Sequence, residues 1–376
     1  MRTILYALFF GLLSAQALAD QPEPFSTFFT YTEDDLKSLH ALQSEQTLWM
    51  DELKKWDAIA MRQIETQKIN FYDFTRLFTY LYVAQTEAAY LSHNVTGKFS
   101  GSLDPISYQV LKLFGAYVTK PILFLEDAYS QTLAKIVMRK ISERFQQENS
   151  LPNEYEVPKD VQSHFSAGLQ VAKWIPWHAK PTVAYWPPPP PPADSPIWKE
   201  QIALIKKAQQ PMTEEKKWII YRWAGLAYPW SDDWRSLANA YLASHEVSLL
   251  KTFQVRSLLM MGLYDCVAAY SSCKYRYLAA RPQVRDPSSL YMIHVPKHPS
   301  YPAGHSAESA LATTIMAFFF PADAAYWQQL ATQCGTSRIW AGVHYPIDDE
   351  AGRHTGTKVG QKEIEVFTQM YIVKKK

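Results

Sequence analysis

Three short segments in the second half of the chain, residues 274–282, 302–305 and 337–348, concentrate cationic, imidazole and carboxylate side chains. Guanidinium forks and an ammonium group hold the negative oxygens of a phosphoryl group without a metal ion. A neutral imidazole can act as a nucleophile, and a protonated imidazole can act as a general acid. The segments therefore predict chemistry on a tetrahedral oxyanion. The residues concerned are Lys274, Arg281, Gly304, His305, Arg338, His344 and Asp348.

Each segment taken alone has an ordinary structural interpretation. Lys274 and Arg281 fit the exposed face of a helix, where most charged side chains lie. Gly304 and the histidine after it fit a turn before an apolar helix, and His344 with Asp348 fits a helix cap. These interpretations do not predict all three segments in this order and at these spacings. We therefore favour one site built from all three.

The order and spacing of these residues resemble the superfamily that joins type 2 phosphatidic acid phosphatases, soluble bacterial acid phosphatases and vanadium haloperoxidases. Its signature is Lys-x6-Arg-Pro, then Pro-Ser-Gly-His, then Ser-Arg-x5-His-x3-Asp. The chain matches every named position except Ala303, where the family usually has serine, and the match covers roughly residues 265–352. The resemblance implies an all-α fold, a helical bundle of the acid phosphatase and vanadium haloperoxidase type with an additional N-terminal helical region.

The same resemblance implies a role for each residue. His344 corresponds to the nucleophile that forms a phosphohistidine intermediate, Asp348 to the carboxylate that orients its ring, and His305 to the general acid. With both imidazole pKa values near the ordinary value of about 6.5, we expect a bell-shaped activity profile centred on mildly acidic pH. The phosphate-binding positions are Lys274, Arg281, Arg338 and Gly304.

Ala303 is the departure from the family pattern. In the family the serine at this position donates a hydrogen bond to the bound oxyanion. Losing one such donor costs about 10²–10³ in rate in the severest cases, so the change bears on efficiency more than on the type of reaction. The hydroxyl of Ser300, Tyr301 or Ser306, or a water molecule, is a candidate replacement.

His298 lies seven residues before His305, and this spacing looks like the bromide-oxidising haloperoxidases. In those enzymes the residue that corresponds to His344 binds vanadate, which has the tetrahedral geometry of phosphate. The other interpretation is that His298 contributes to a basic approach for an anionic ligand.

We therefore expect a metal-independent phosphomonoester hydrolase that acts on a small phosphorylated substrate and requires no cofactor. The first alternative is a vanadium-dependent haloperoxidase that oxidises bromide or iodide with peroxide and carries vanadate on His344. The second alternative is a catalytically weak phosphate-binding protein, with Ala303 as the defect.

Composition and periodicity indicate the elements that must position these residues. The 376 residues include 38 Lys and Arg against 36 Asp and Glu, and this near balance gives no reason to expect a nucleic-acid partner. The chain has 13 glycines, which is half the usual glycine frequency of ~7%. This low frequency favours long helices, and the 47% of hydrophobic residues is enough for a large core. Helical spacing predicts helices from Thr32 onward and over residues 74–91, 106–145, 232–280 and 306–320.

The predicted organisation has four parts. Residues 1–19 fit a signal peptide, which predicts a periplasmic or secreted protein with no transmembrane span in the mature chain. An N-terminal helical region over 20–186 and a helical core over 197–376 flank a proline-rich linker over 187–196.

Cysteine spacing leaves two interpretations open. If residues 266–273 are helical, Cys266 and Cys273 lie about 10 Å apart along the axis, too far for a disulfide. Cys334 would then pair with one of them, or all three thiols are buried and free.

Overall fold

The computed structural model describes residues 26–42, 49–115, 127–151, 155, 157–159, 164–225 and 233–371. The predicted signal segment, residues 1–19, lies outside this part of the chain. The described residues form helices and connections with no strand, so the all-α prediction is confirmed. The helices are α1 (Glu33–His40), α2 (Trp49–Gln67), α3 (Phe71–Thr96), α4 (Asp104–Leu113), α5 (Ala128–Ser150), α6 (Ile197–Ala208), α7 (Glu214–Trp223), α8 (Trp234–Ser244), α9 (Leu249–Tyr277), the single turn α10 (Pro282–Arg285), α11 (Gly304–Phe319), α12 (Ala324–Trp340) and α13 (Pro346–Tyr371).

Helix boundaries follow the capping chemistry of the sequence. Thr32 and Asp35 form a reciprocal capping box at α1, as the Thr-Glu-Asp-Asp pattern predicts. Gly97, with φ of 74°, ends α3 five residues later than expected. The helical pattern over residues 106–145 divides into α4 and α5, and the pattern over 232–280 divides into α8 and α9.

Helix α9 lies at the centre of the bundle. Nearly all of its side chains are buried, and it packs against α3, α11 and α13. One cluster of buried side chains includes residues from both sides of the proline run. The run itself is tied to the C-terminal part, because the Tyr301 hydroxyl donates to Pro188 O and Trp198 Nε1 donates to Pro192 O at 2.8 Å. The division of the chain at residues 187–196 stays a prediction.

Three glycines on one face of α13, each four residues after the last, bring this helix against α11. A Cβ on Gly352 would overlap the Ala303 carbonyl oxygen, and a Cβ on Gly356 would overlap the Ala307 carbonyl oxygen. On Gly360, a Cβ would lie 2.9 Å from Thr314 Cβ. Only glycine permits this backbone approach. This glycine-lined contact between α11 and α13 fixes the start of α11 beside the start of α13. The predicted site residues lie at these two helix starts.

The three cysteines are buried and free, so the second of the two interpretations holds. In the described part of the chain, no helix combines the length and the apolar character needed to cross a membrane.

Candidate active site

The three predicted segments meet at one end of the bundle. The last turn of α9 contributes one cation, the residue before α10 a second, and the last turn of α12 a third. The starts of α11 and α13 contribute the imidazole and carboxylate groups. All seven side chains or backbone positions are largely buried, and the structure brings them together. They are Lys274, Arg281, Gly304, His305, Arg338, His344 and Asp348.

His344 is held in a fixed orientation just before α13. Its Nδ1 lies 3.0 Å from Asp348 Oδ2, which also accepts from Ser300 Oγ at 2.5 Å and from the Tyr345 backbone N–H at 3.1 Å. On the other side of the ring, His344 Nε2 lies 3.4 Å from Arg281 Nη1. A proton on Nδ1 satisfies Asp348 and leaves Nε2 with a lone pair directed toward the guanidinium. This is the tautomer that a nucleophilic imidazole requires.

Arg281 connects His344 with His298. Its Nη1 donates to Val343 O at 2.6 Å and its Nε donates to His298 O at 3.0 Å. Its Nη2 lies 3.2 Å from His298 Nδ1. Burial lowers the pKa of Arg281 to about 10, so the guanidinium still carries its charge at neutral pH. Burial and the Arg281 charge lower the pKa of His298, which is therefore neutral in the free site.

Arg338 and His305 are held by backbone carbonyls of α7, an element that carries no recognisable motif. Arg338 Nη2 donates to Ile220 O at 2.8 Å, and its Nε donates to Ser337 Oγ at 3.0 Å. His305 Nε2 lies 3.0 Å from Trp223 O, so that nitrogen carries the ring proton and Nδ1 remains for a ligand. Within the described residues, Arg338 has no carboxylate partner.

Lys274 contacts the loop over residues 299–302, which leads into α11, rather than the open cavity. Its Nζ donates to Pro299 O at 2.8 Å, to Ser300 O at 3.0 Å and to Pro302 O. These three acceptors use all three ammonium protons. Lys274 therefore fixes the loop that leads into α11 and adds positive charge behind it. Direct donation to the oxyanion, as predicted, would require one of these bonds to break.

The three hydroxyls predicted to replace the serine at Ala303 all have other partners in the described structure. Ser300 Oγ is committed to Asp348, and Ser306 Oγ donates to Asp349 Oδ1 at 2.6 Å. The Tyr301 hydroxyl donates to Pro188 O in the proline run. Ala303 itself caps α11 without a side-chain hydrogen bond. Each of the three predicted replacements therefore has another partner.

The electrostatics of the site differ from the expectation of two ordinary imidazoles. Burial, followed by the charge of Arg338, lowers the pKa of His305 to about 3. Burial, followed by the charges of Arg281 and Lys274, lowers the pKa of His344. Both rings are neutral in the free site at neutral pH, so the predicted profile based on unperturbed values near 6.5 has no support in these pKa values. The negative charge of a bound phosphate opposes these cations and raises both pKa values.

Buried charge in the site is unbalanced in favour of an anion. Among the described residues, the basic side chains of Lys274, Arg281 and Arg338 surround Asp348, whose pKa is raised by burial, and burial and the Arg281 charge lower the pKa of Lys274. Buried cations held only by neutral acceptors are costly, and an oxyanion supplies the missing negative charge. The N-terminus of α11 at Gly304 adds the positive end of a 16-residue helix.

A cavity of about 740 Å³ opens from this cationic end. Apolar side chains from α3, α7, α8 and α9 line part of it, so the N-terminal region that carried no motif supplies part of the cavity wall. Sequence reasoning also missed Glu308, which lines the cavity one turn into α11 and accepts from the Tyr270 hydroxyl at 2.9 Å. A signal was present, because a glutamate in the apolar run 306–320 is unusual for a buried helix face. The apolar lining comprises Phe71, Tyr72, Phe74, Trp223, Trp234, Met260 and Leu263.

Comparisons with known proteins give both sequence and structural similarities. The family model described as the VCPO second helical-bundle domain matches residues 322–372. Non-specific acid phosphatases of Salmonella typhi and Salmonella typhimurium are 32% and 31% identical to this chain over 111 residues. Each alignment covers 27% of this chain and 41% of the phosphatase, so the chain spans less than half the length of these curated relatives.

Solved structures of two bacterial enzymes share the fold. A vanadium-dependent iodoperoxidase has a TM-score of 0.64 at 17% identity, covering 86% of this chain and 98% of that chain. The holo-type structure of a vanadium-dependent chloroperoxidase has a TM-score of 0.52 at 12% identity, covering 82% and 84%. Together with the three matched motifs and the all-α bundle, these similarities indicate the superfamily of type 2 phosphatidic acid phosphatases, bacterial acid phosphatases and vanadium haloperoxidases.

Proposed function

We propose that the chain is a phosphomonoester hydrolase that works without a metal ion and forms a phosphohistidine intermediate on His344. One observation carries the proposal: Asp348 holds His344 Nδ1 at 3.0 Å while His344 Nε2 points to Arg281 beside a cationic cavity. The similarity to the Salmonella phosphatases over 111 residues supports the same reaction.

In the first step, the Nε2 lone pair of His344 attacks phosphorus and the bond to the leaving oxygen breaks. Arg281, Arg338 and the N-terminus of α11 hold the phosphoryl oxygens, whose negative charge moves during the transfer. Asp348 stabilises the imidazolium character that His344 gains. His305 protonates the leaving oxygen once the substrate's charge has raised the pKa of its ring.

In the second step, water attacks the phosphohistidine and the N–P bond breaks. His305 now accepts the proton from that water, which restores the starting state. The cavity of about 740 Å³ is far larger than a phosphate ion requires, so we propose that it holds the organic part of a small phosphorylated substrate.

The test is phosphate release from p-nitrophenyl phosphate in the presence of a metal chelator. We expect turnover by the wild-type chain and a loss of at least about 10³-fold in His344→Ala. His245→Ala is the matched control, because His245 follows α8 and contacts Tyr241 rather than the cavity. Activity retained in His344→Ala would remove the proposed nucleophile.

A vanadium-dependent haloperoxidase is the second candidate, favoured by His298 beside Arg281 and by the fold shared with the iodoperoxidase. The residues fit vanadate, because the same basic side chains suit any tetrahedral oxyanion and His344 Nε2 is the nitrogen available to bind it. Bound vanadate would supply peroxide activation for halide oxidation. Arg281 and Arg338 would neutralise its oxygens, and Asp348 would keep His344 in the binding tautomer.

One paired assay separates the two candidates. Vanadate inhibits a phosphatase of this type, whereas vanadate with peroxide and bromide or iodide starts halide oxidation in a haloperoxidase. A chain that binds phosphate but shows neither activity would be the weak phosphate-binding protein. Export directed by residues 1–19 is part of our proposal and is tested by sequencing the N-terminus of protein recovered from outside the cytoplasm.

A further inference from the structure

We propose that Glu308 is a second proton donor for the leaving oxygen. This inference rests on the proposed phosphatase function and adds a catalytic residue that is absent from the three motifs. Glu308 lies on α11, four residues after the predicted phosphate-binding position Gly304, so both residues lie on the same face of the helix. It lines the same cavity as His305, Arg338 and His344.

The two carboxyl oxygens of Glu308 differ in their contacts. Oε1 accepts from the Tyr270 hydroxyl at 2.9 Å, while Oε2 has no hydrogen-bond partner among the described residues. Glu308 is 9% exposed, and it has no ion pair in the described part of the chain. A buried carboxyl group with one oxygen fixed and the other unpaired can direct a proton toward a ligand in the cavity.

Tyr270 positions this carboxyl group relative to the phosphate site. The Tyr270 ring lies against Gly304, where a Cβ would be 3.2 Å from Tyr270 Cζ. The same side chain therefore contacts the start of α11 and holds Glu308 one turn further along. Any residue larger than glycine at position 304 would press on this ring. The Tyr270 side chain therefore links the phosphate-binding position Gly304 to Glu308.

Burial favours the protonated form of Glu308. Burial raises the pKa of Glu308 to about 8, and the negative charge of Asp233 acts in the same direction. The Tyr270 hydrogen bond and the Lys274 charge oppose this shift without overcoming it. At pH 7 the free site therefore contains a protonated Glu308 and a neutral His305. The proton that a poor leaving group needs is already present on Glu308.

The proposed step is balanced in protons and electrons. As His344 Nε2 bonds to phosphorus, the leaving oxygen takes the bonding pair and accepts the Glu308 proton, which gives the free alcohol and a Glu308 carboxylate. When water cleaves the phosphohistidine, its proton returns to this carboxylate. His305 takes this role in place of Glu308 only when substrate binding has protonated its Nδ1, so the leaving oxygen receives one proton by either route.

The experiment compares two substrates of similar size at pH 7. Nitrophenolate departs from p-nitrophenyl phosphate without a proton, whereas the alkoxide of benzyl phosphate needs one. In Glu308→Gln, we expect kcat/KM for benzyl phosphate to fall about 10²-fold and kcat/KM for p-nitrophenyl phosphate to fall less than about threefold. Glu308→Asp, which retains an acid, should recover part of the benzyl phosphate activity.

Controls separate a catalytic role from a structural one. Glu87→Gln changes another buried carboxyl group, which binds the Phe28 and Phe29 backbone N–H groups away from the cavity, and should affect both substrates equally. Vanadate inhibition should be unchanged in Glu308→Gln if the oxyanion site is intact. Should that variant fail to fold, Tyr270→Phe, which releases the carboxyl group, should show the same preference for p-nitrophenyl phosphate.

The outcomes distinguish this inference from the proposed function. Equal losses on the two substrates, or no loss on either, would overturn the role of Glu308 and leave the phosphatase proposal standing. A wild-type chain that hydrolyses neither substrate would instead overturn the phosphatase proposal. If His305→Ala lost benzyl phosphate hydrolysis while Glu308→Gln kept it, the proton on the leaving oxygen would come from His305 and not from Glu308.

Discussion

Gly356 of α13 lies directly against Ala307 of α11, so close that a Cβ on the glycine would overlap the Ala307 carbonyl oxygen. This contact lies one turn beyond Ala303 and about two turns beyond Asp348, whose backbone carbonyl accepts from the Ala303 N–H at 2.9 Å. The close approach of the two helices therefore determines how far the start of α11 lies from His344. Site geometry and helix packing depend on the same glycines.

Gly356→Ala should separate the two helices. Because the overlapped atom belongs to the backbone, we expect a loss of at least about 2 kcal/mol in the free energy of unfolding, measured by urea denaturation, and a fall in kcat/KM. Gly97→Ala is the control: its Cβ would meet no atom within 4 Å, and the cost comes only from φ of 74°. An unchanged free energy of unfolding in Gly356→Ala would show that α13 does not approach the Ala307 carbonyl oxygen this closely.

Asp348→Asn should lower kcat by about 10²-fold or more with a smaller effect on KM, because Asp348 orients His344 instead of contacting the substrate. The neighbouring Asp349→Asn is a matched control. Asp349 accepts from Ser306 Oγ at 2.6 Å and Arg353 Nε at 2.9 Å, and it makes no contact with His344. Steady-state kinetics on p-nitrophenyl phosphate measure both variants, and equal losses would argue against an orienting role.

Ala303→Ser should restore the donor that the family motif contains. We expect kcat/KM to rise about tenfold, since one oxyanion donor contributes up to 10²–10³. The hydroxyl also caps α11, which has no side-chain cap, and should add about 1 kcal/mol to the free energy of unfolding. Ala303→Gly, which adds no hydroxyl, should show neither gain. A fall in activity in Ala303→Ser would mean that the site is built around the alanine.

Glu308→Gln should change how stability depends on pH. A carboxyl group whose pKa rises from 4.5 in the unfolded chain to about 8 in the folded protein binds a proton preferentially in the folded state. Its contribution is therefore complete below about pH 4.5 and is lost as pH rises toward 8, at up to about 1.4 kcal/mol per pH unit. Denaturation of wild type and variant at pH 5, 6, 7 and 8 measures the difference. A difference that is constant with pH would contradict the raised pKa.

The motifs identified the residues of the site because each is required by the chemistry of oxyanion binding at a fixed place on a helix end. His344 before α13 and Asp348 in its first turn follow from Pro346 at the helix start. Other features depend on tertiary contacts that no local pattern reports. The Ile220 and Trp223 carbonyls that hold Arg338 and His305 are backbone groups, and any residue type supplies them.

The electrostatic features of the site could not be predicted from the sequence either. The three bonds of Lys274 and the lowered pKa of His305 arise from burial and from cations brought together by the fold. The contribution of α3 to the cavity wall likewise depends on how α3 packs beside α9. Spacing within a motif does not encode these distances between elements.

The most direct test of the account is to identify the phosphorylated residue during turnover. Wild-type protein mixed with ³²P-labelled substrate and quenched in alkali should carry an acid-labile, alkali-stable label on His344, approaching one phosphate per chain when hydrolysis of the intermediate is slow. His344→Ala should carry none. Phosphate release without any label on His344, or a label on another residue, would contradict the central claim that this imidazole attacks phosphorus.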